Sequence, residues 1–197
     1  MSAPAVRDAR REELETLGRT LGRAFYDDPI FEFMLPNDAK RERSLPVLFR
    51  RLSAFHLRRG DTVHVDDDVV AGALWAPPDR WKTGPLEMVR FLFDFGGVMG
   101  TRLPLMISAL GGIEKQHPTE PHWYLGVLGT DPDHQGKGLG AAAMSPTLEK
   151  CDADGIPAYL ESSKESNIPF YERYGFRVTG EHELKGLDEP MRLYRVE

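Results

Sequence analysis

Residues 125–140 read LGVLGTDPDHQGKGLG, a stretch in which a strand passes through a glycine-rich turn into a helix. The strand contains Gly126 and Gly129, and glycine inside a strand usually marks a bulge or a close approach by another segment. Asp131-Pro132 is a turn signal that ends the strand. Gln135–Gly140 then opens the helix, so the stretch predicts the order strand, turn, helix.

This arrangement predicts an anion site. Backbone N–H groups converge at a helix start, the helix dipole adds positive potential, and glycines let a diphosphate approach the backbone. A P-loop does not fit, because Lys137 is followed by Gly138 and not by Ser or Thr. The dinucleotide fingerprint is matched by residues 138–143. However, four residues separate the strand from Gln135, and only 36 residues follow Glu161, too few for a second mononucleotide-binding half.

Composition narrows the classes of function. The chain has 197 residues, 41% of them hydrophobic, so we expect a single domain over residues 1–197. Its net charge of −6 disfavours binding to nucleic acid or an anionic membrane and suits an amine-bearing small molecule. One cysteine and the absence of a signal-like apolar start favour a cytoplasmic location.

Hydrophobic periodicity predicts the remaining elements. Strands alternate with helices in the last third and end in a hairpin, which implies a mixed α/β sheet. The predicted helices cover residues 11–26, 40–59, 138–151 and 168–174, and the predicted strands cover residues 5–7, 62–65, 69–75, 122–130, 157–161, 176–184 and 191–196.

Two motifs in the second half of the chain carry a family resemblance. Gln135-x-x-Gly138-x-Gly140 resembles the acetyl-coenzyme A signature of the GNAT superfamily of N-acetyltransferases, Q/R-x-x-G-x-G/A. Residues 167–176, NIPFYERYGF, resemble the family's Asn…Tyr-x-x-x-Gly-Phe element. Over residues 121–180 the chain is similar to the puromycin N-acetyltransferase branch, whereas its N-terminal half is only loosely similar.

The resemblance implies a mixed, mostly antiparallel sheet with helices on both faces and splayed central strands. The strands ending at Thr130 and Glu161 would part in a V that holds the pantetheine arm of acetyl-coenzyme A, and residues 135–140 would hold its pyrophosphate. Backbone groups near Leu128 and Thr130 would pair with pantetheine. The implied cofactor-binding residues are Leu128, Gly129, Thr130, Gln135, Gly136, Lys137, Gly138, Leu139, Gly140, Asn167 and Tyr171.

Residues 80–120 depart from the family pattern, because many relatives join the flanking strands by a simple hairpin. Their apolar residues predict two helices, broken at Gly96-Gly97 and Gly111-Gly112. These helices either cover a face of the sheet or also form a wall of the acceptor pocket, and the sequence leaves both interpretations open.

Tyr171 is the candidate general acid. A phenol with a pKa near ~10 stays protonated at pH 7 and can deliver its proton to the departing thiolate. The alternative is an ordinary packed aromatic residue. Phe170 and Tyr174, four residues apart, are predicted to share a buried face, from which Tyr171 is turned by about 100°.

Glu161 is the candidate general base, directly or through water, because it ends the strand opposite the cofactor. An alkylamine with a pKa near ~10.4 arrives mostly as ammonium, so a base is required. The alternative for Glu161 is a structural residue that pairs with the backbone or with an arginine, and His122 and Glu120 are weaker candidates for the base.

Other polar residues have less distinctive patterns. Asn167 is expected to contact the cofactor, cap the short helix, or do both. Cys151 falls on an apolar stripe and is interpreted as structural. Asp27 and Asp28 are interpreted as solvated charges, or as carboxylates that attract a cationic substrate. No spacing of His, Cys or carboxylate residues suggests a metal site.

The sequence therefore predicts an enzyme that transfers acetyl from acetyl-coenzyme A to a primary amine of a small molecule, such as an aminonucleoside. Without a nucleophilic cysteine near the cofactor, direct transfer in a ternary complex is favoured. A protein or peptide acceptor, or a non-catalytic coenzyme A-binding sensor, is the alternative. Whether the chain is a monomer or a homodimer stays open.

Overall fold

A computed structural model describes residues 4–82, 84–115, 117–182 and 191–196. Its seven strands form one sheet in the order β1-β2-β3-β4-β5-β7-β6. Only β4 and β5 run parallel; the other neighbours are antiparallel, which confirms the mixed sheet. The strands are β1 Val6–Asp8, β2 Thr62–Asp66, β3 Ala71–Ala76, β4 Trp123–Thr130, β5 Ala158–Ser162, β6 Phe176–His182 and β7 Met191–Val196.

Helices cover both faces of the sheet, as expected. Helices α1 to α5 pack on one face, with Leu17, Leu21 and Phe49 at the centre of that core. On the other face, α6 and α7 pack against Trp75 and Leu160. The helices are α1 Leu14–Ala24, α2 Pro29–Met34, α3 Asp38–Arg59, α4 Pro85–Met99, α5 Leu103–Glu114, α6 Leu139–Asp154 and α7 Ile168–Glu172.

Strand β4 contains a bulge at Gly126. Along the pairing with β3, Trp75 lies opposite Leu125 and Leu74 lies opposite Val127, so Gly126 has no partner of its own. An extra residue reverses the alternation of side chains. Accordingly, Leu125 packs with α6 and α7, whereas Val127 packs with α1 and α3 on the opposite face.

Strands β4 and β5 part beyond the bulge. They pair in parallel only from Trp123 to Leu125, while β4 continues to pair with β3 as far as Thr130. On its other edge, β5 pairs with β7 from Tyr159 to Ser162. A V-shaped gap therefore opens between the last residues of β4 and the end of β5, which confirms the splayed central strands.

Several predicted boundaries are wrong. Helix α4 continues through Gly96-Gly97 and ends at Met99, where Gly100 takes a φ of 56°. Gly111-Gly112 lies inside α5. Glycine in a helix costs roughly 1 kcal/mol, which packing against a neighbouring helix offsets. The short helix α2 was not expected, and Leu184, the predicted end of β6, lies outside the described residues.

The helices of the described ranges are each too short or too polar to cross a bilayer. Helix α5, the most apolar of these segments, packs through Met106 and Leu103 into the core formed with α1 to α4.

Candidate active site

The glycine-rich turn after β4 leads directly into α6. Gly136 and Gly138 have φ values of 75° and 79°, a left-handed conformation that residues with a Cβ seldom adopt. Gly138 is the N-cap residue, so α6 starts at Leu139 with its first amides directed out of the helix. A Cβ built on either left-handed glycine meets no atom within 4 Å, so the space above the turn is open.

Charged residues hold this turn in place. Arg23 of α1 donates to Asp131 and Asp133, at 2.9 Å in each case, and so lowers the pKa of Asp133. The side-chain amide of Gln135 donates to the backbone oxygen of Thr130 at 3.2 Å. The turn is thus tied both to α1 and to the end of β4.

Lys137 and Gly140 complete the predicted loop. The Lys137 ammonium is exposed and reaches the backbone oxygen of Asp133 at 3.4 Å. A Cβ at Gly140 would lie 3.1 Å from the Thr130 hydroxyl, so a side chain there would be crowded against the strand end. Gly129 is likewise approached closely: its Cβ would lie 2.8 Å from Leu21 of α1.

A cavity of about 260 Å³ opens at the gap between β4 and β5. Leu128 lines it from β4, Glu161 from β5, and Asn167 and Tyr171 from the segment that follows β5. The structure thus brings four of the predicted site residues to one cavity. Its apolar wall comes from α1 to α5 and includes Phe25, Phe31, Phe49, Phe91, Phe95, Met99 and Met106.

Asp28 also lines this cavity, and the prediction that it is solvated is wrong. Its side chain is buried and accepts hydrogen bonds from the Ser163 hydroxyl at 2.6 Å and from the Ile30 amide at 3.0 Å. Burial raises the pKa of Asp28, although these two donors oppose the rise. Asp27, by contrast, is exposed and pairs with Lys164 at 2.7 Å.

Glu161 is surrounded by aromatic and imidazole groups. Its carboxylate lies 3.2 Å from Nε2 of His117, and both side chains are buried. Tyr124 and Tyr159 are partners across β4 and β5, on the same face as Glu161. Burial, followed by the Glu161 charge, raises the pKa values of both phenols, so they stay protonated.

Tyr171 is buried, whereas its neighbour Tyr174 is exposed. The predicted sharing of a buried face by Phe170 and Tyr174 is therefore wrong. Helix α7 is only five residues long, and Tyr171 turns inward to lie edge-on to Phe176 with ring centroids 5.7 Å apart. A helix of five residues makes little more than one turn, so residues four apart need not share a buried face. Tyr171, and not Tyr174, therefore lines the cavity.

Asn167 makes no side-chain capping bond to α7. Its amide donates instead to the Ser162 hydroxyl at 3.2 Å, which fixes it at the cavity lining. Cys151 is buried on α6, on the other face of the sheet, where burial raises its thiol pKa to about 12. Among the described residues no cluster of three His, Cys, Asp or Glu side chains is arranged to hold a metal ion.

Sequence reasoning missed His117 and Trp81. Both lie in the segment between β3 and β4, where no periodic pattern or motif singles them out. Their rings stack with centroids 4.0 Å apart and an interplanar angle of 13°. Their importance arises only from the tertiary fold, which brings His117 to Glu161.

The splayed sheet and the loop beside it define a class of protein, the coenzyme A-dependent acyltransferases. Residues 30–176 match the Acetyltransferase (GNAT) family. An uncharacterized N-acetyltransferase of Schizosaccharomyces pombe is 28% identical over 185 residues, which are 87% of this chain and 74% of that protein. This chain belongs to the GNAT family and is an N-acetyltransferase whose acetyl donor is acetyl-coenzyme A.

Solved structures share the fold. A histone acetyltransferase HPA2 and related acetyltransferase from Corynebacterium glutamicum superposes with a TM-score of 0.73 at 23% identity, over 98% of this chain and 96% of that one. The structure of yncA from Salmonella typhimurium, which holds its cofactor acetyl-coenzyme A, has a TM-score of 0.56 at 12% identity. That match covers 100% of this chain and 94% of yncA.

The residues present fit acetyl-coenzyme A. The open space above Gly136 and Gly138 admits a phosphate group close to the backbone, and the start of α6 supplies N–H donors and a favourable dipole. Beyond Leu125, β4 pairs with β3 alone within the described sheet, so its other edge is available to an extended amide-containing chain.

Proposed function

We propose that this chain acetylates a primary amine of a small molecule, with acetyl passing directly from acetyl-coenzyme A in a ternary complex. The observation that carries the proposal is the acidic, mostly apolar cavity at the gap. Among its described lining residues the charged ones are both carboxylic, Asp28 and Glu161. Carboxylates favour an ammonium group, and about 260 Å³ suits a small acceptor better than a folded protein segment.

Glu161 and Tyr171 supply the acid–base chemistry in this proposal. The Glu161 carboxylate takes a proton from the ammonium, because only the free amine is nucleophilic. The Tyr171 phenol, buried at the same cavity, delivers a proton to the departing thiolate. Placement of both groups on one cavity supports a division between a base on β5 and an acid on α7.

Helices α4 and α5 select the acceptor in this proposal. Phe91, Phe95 and Met99 from α4 and Met106 from α5 line the cavity opposite the strands. These side chains form a broad apolar wall with no hydrogen-bonding groups. We therefore infer that the acceptor joins its amine to an apolar or aromatic body, and that the 80–120 segment shapes the acceptor pocket.

Direct transfer is supported by the position of the thiol. Cys151, the one cysteine of the chain, lies on the face opposite the cavity and is held as a thiol by burial. For an acyl-enzyme intermediate to form on Cys151, the acetyl group would have to reach the face of the sheet opposite the cavity. The puromycin-like branch, the cytoplasmic location and the oligomeric state stay predictions.

The test is a screen of amines with thiol release as the readout. The panel contains aromatic and aliphatic primary amines, an aminonucleoside, and peptides with a free N-terminus or lysine. We expect release with a small amine carrying an apolar body, and initial rates that intersect when both substrates are varied. Parallel lines would contradict the ternary complex, peptide-only activity would overturn the small-molecule acceptor, and tight acetyl-coenzyme A binding without release would indicate a sensor.

A further inference from the structure

A second cavity adjoins the cavity at the gap. It has a volume of about 220 Å³ and lies near the end of α3, the end of β3 and the first half of α4. Five residues line both cavities, namely Leu52, Phe91, Tyr124, Gly126 and Val127. A molecule whose amine lies at Glu161 therefore has to extend only past these shared residues to reach the second cavity.

The two cavities differ in the charge of their walls. Among the described lining residues of the first cavity, the charged ones are Asp28 and Glu161, both acidic. The described charged residues of the second cavity are three basic and two acidic ones: Arg59, Arg80, Lys82, Asp61 and Glu114. Because opposite charges attract and like charges repel, an acceptor with an ammonium at one end and an anion at the other would bind in one orientation.

Two of these charged residues, Asp61 and Arg59, compensate each other within the fold. The Asp61 side chain is only 1% exposed and lies 3.0 Å from Nδ1 of His56 and 3.5 Å from Nε of Arg59. Nη1 of Arg59 lies 3.4 Å from Glu87, and Nη2 donates to the backbone oxygen of Arg80. All three nitrogens of the Arg59 guanidinium thus face oxygen atoms of the protein, so this residue supports the wall of the cavity.

Arg80 and Lys82 have donors that the fold does not use. Nη2 of Arg80 donates to the backbone oxygen of Arg59 and lies 3.7 Å from Asp61, but within the described part of the chain its Nε and Nη1 donate to no acceptor. The Lys82 ammonium is exposed, has no carboxylate partner among the described residues and lies 5.1 Å from the ring centroid of Trp81. A guanidinium presents pairs of N–H groups that match a carboxylate, and a nearby ammonium adds a further donor.

We propose that the second cavity binds a carboxylate of the acceptor, so that the substrate is an amine joined through an apolar body to a carboxylate. This inference rests on the proposed amine acetylation and deepens it by naming the class of acceptor. The amine of such a substrate lies at Glu161, and its apolar body lies against Phe91 in the wall that both cavities share. Its carboxylate accepts hydrogen bonds from Arg80 and Lys82.

The first experiment measures binding without turnover. Calorimetry is carried out on protein saturated with coenzyme A, which has no acetyl group to transfer. The probes are amino carboxylates of several chain lengths and an aminoalkyl benzoate, each compared with its methyl ester, which keeps the amine and the body but removes the negative charge. We expect the best carboxylate to bind about tenfold or more tightly than its ester, and the difference to shrink as sodium chloride is added. Equal binding of acid and ester in every pair would overturn the proposal.

The second experiment assigns the preference to residues. Arg80→Gln is expected to reduce the ratio of the ester Kd to the acid Kd to about twofold, whereas Arg80→Lys keeps the charge and part of the ratio. Lys82→Gln, at an exposed position where folding is not at risk, is expected to lower the ratio at least about twofold. Arg58→Gln is the matched control, because Arg58 is 46% exposed like Arg80 but is not among the described lining residues of either cavity. A wild-type ratio in the folded Arg80 and Lys82 variants, or an equal loss in Arg58→Gln, would overturn the site.

Thiol release from acetyl-coenzyme A with the same pairs of acid and ester separates this proposal from the proposed function. We expect kcat/KM to favour the acid in the wild-type enzyme and this preference to fall in Arg80→Gln. Acetylation of esters as fast as of acids would leave the proposed function intact and overturn the carboxylate site. Binding of an acid that depends on Arg80, without acetylation of any amine, would support the site and contradict the proposed function.

Discussion

Tyr171 and Glu161 reach one cavity from different elements, and their environments suit opposite tasks. Tyr171 lies among aromatic rings, with Phe170 edge-on at a centroid distance of 5.1 Å. Glu161 lies beside His117 and near two phenols whose raised pKa values keep them protonated. An aromatic cage favours a neutral donor, whereas an imidazole partner favours a carboxylate that can receive a proton.

Removing the Tyr171 hydroxyl tests the acid. Tyr171→Phe keeps the ring packing, so we expect kcat to fall about 100-fold while the Kd of acetyl-coenzyme A stays within twofold. Steady-state thiol release and calorimetry measure the two quantities. Tyr174→Phe is the matched control, because Tyr174 lies three residues away and is exposed. Full activity in Tyr171→Phe would remove this residue as the acid.

At the scale of the elements, the proposal assigns the nucleotide end of acetyl-coenzyme A to the turn before α6 and the acceptor to the pocket lined by α4. Most of this division could be predicted where it depends on local sequence. The glycines of residues 135–140 determine the backbone shape, and the bulge at Gly126 is signalled by a glycine inside a strand. Both features need only neighbouring residues, so the sequence alone indicates them.

Long-range contacts account for what the sequence could not show. The burial of Asp28 depends on Ser163, 135 residues away, and the contact of His117 with Glu161 joins the segment before β4 to β5. Glycine pairs were expected to break the helices of residues 80–120, but both pairs lie inside a helix, so their low propensity alone does not end one. Pattern reasoning treats each segment alone and so cannot weigh such contacts.

A charge in the glycine-rich turn tests the pyrophosphate site. Gly138→Asp places a carboxylate and a Cβ at a left-handed residue where phosphate would approach, so we expect the Kd of acetyl-coenzyme A to rise about tenfold or more. Gly155→Asp is the matched control: Gly155 has a φ of 64° at the other end of α6, with open space around it. Calorimetry is expected to show wild-type affinity for acetyl-coenzyme A in Gly155→Asp. An equal loss of affinity in both variants would indicate that the substitutions destabilise α6 and would contradict the pyrophosphate site.

Helix α4 carries two phenylalanine residues whose replacement tests the proposed acceptor pocket, one that lines the cavity and one that does not. Phe91 lines the cavity, whereas Phe93 is 83% exposed and points away from it. Phe91→Ala removes apolar wall area, so the acceptor KM is expected to rise about fivefold to tenfold with the acetyl-coenzyme A KM unchanged. Phe93→Ala should leave both KM values at the wild-type level. A similar KM for the acceptor in the two variants would contradict the role of α4.

At the scale of the whole molecule, α1 and the residues beside it connect the layers of the fold. Arg7 of β1 pairs with Glu13 just before α1, at 2.6 Å. Arg23 at the other end of α1 holds the turn after β4, and Asp28 joins the segment after α1 to Ser163 at the end of β5. One helical segment thereby contacts the edge strand, the glycine-rich turn and the gap between β4 and β5.

The Arg7–Glu13 pair makes that stability depend on pH in a defined direction. The hydrogen bond from Arg7 lowers the pKa of Glu13 from 4.5 to about 2. A depressed carboxyl pKa contributes stability that is present above the unfolded value and is lost as the pH falls through the folded one. We therefore expect Glu13→Gln to lower Tm by roughly 2 °C at pH 7 and by progressively less between pH 4.5 and pH 2.

Thermal unfolding followed by circular dichroism at several pH values measures this, with Glu12→Gln, an exposed neighbour with the same charge change, as the control. A Tm difference for Glu13→Gln that stays constant down to pH 2, or one matched by Glu12→Gln, would show that the pair does not link β1 to α1 energetically.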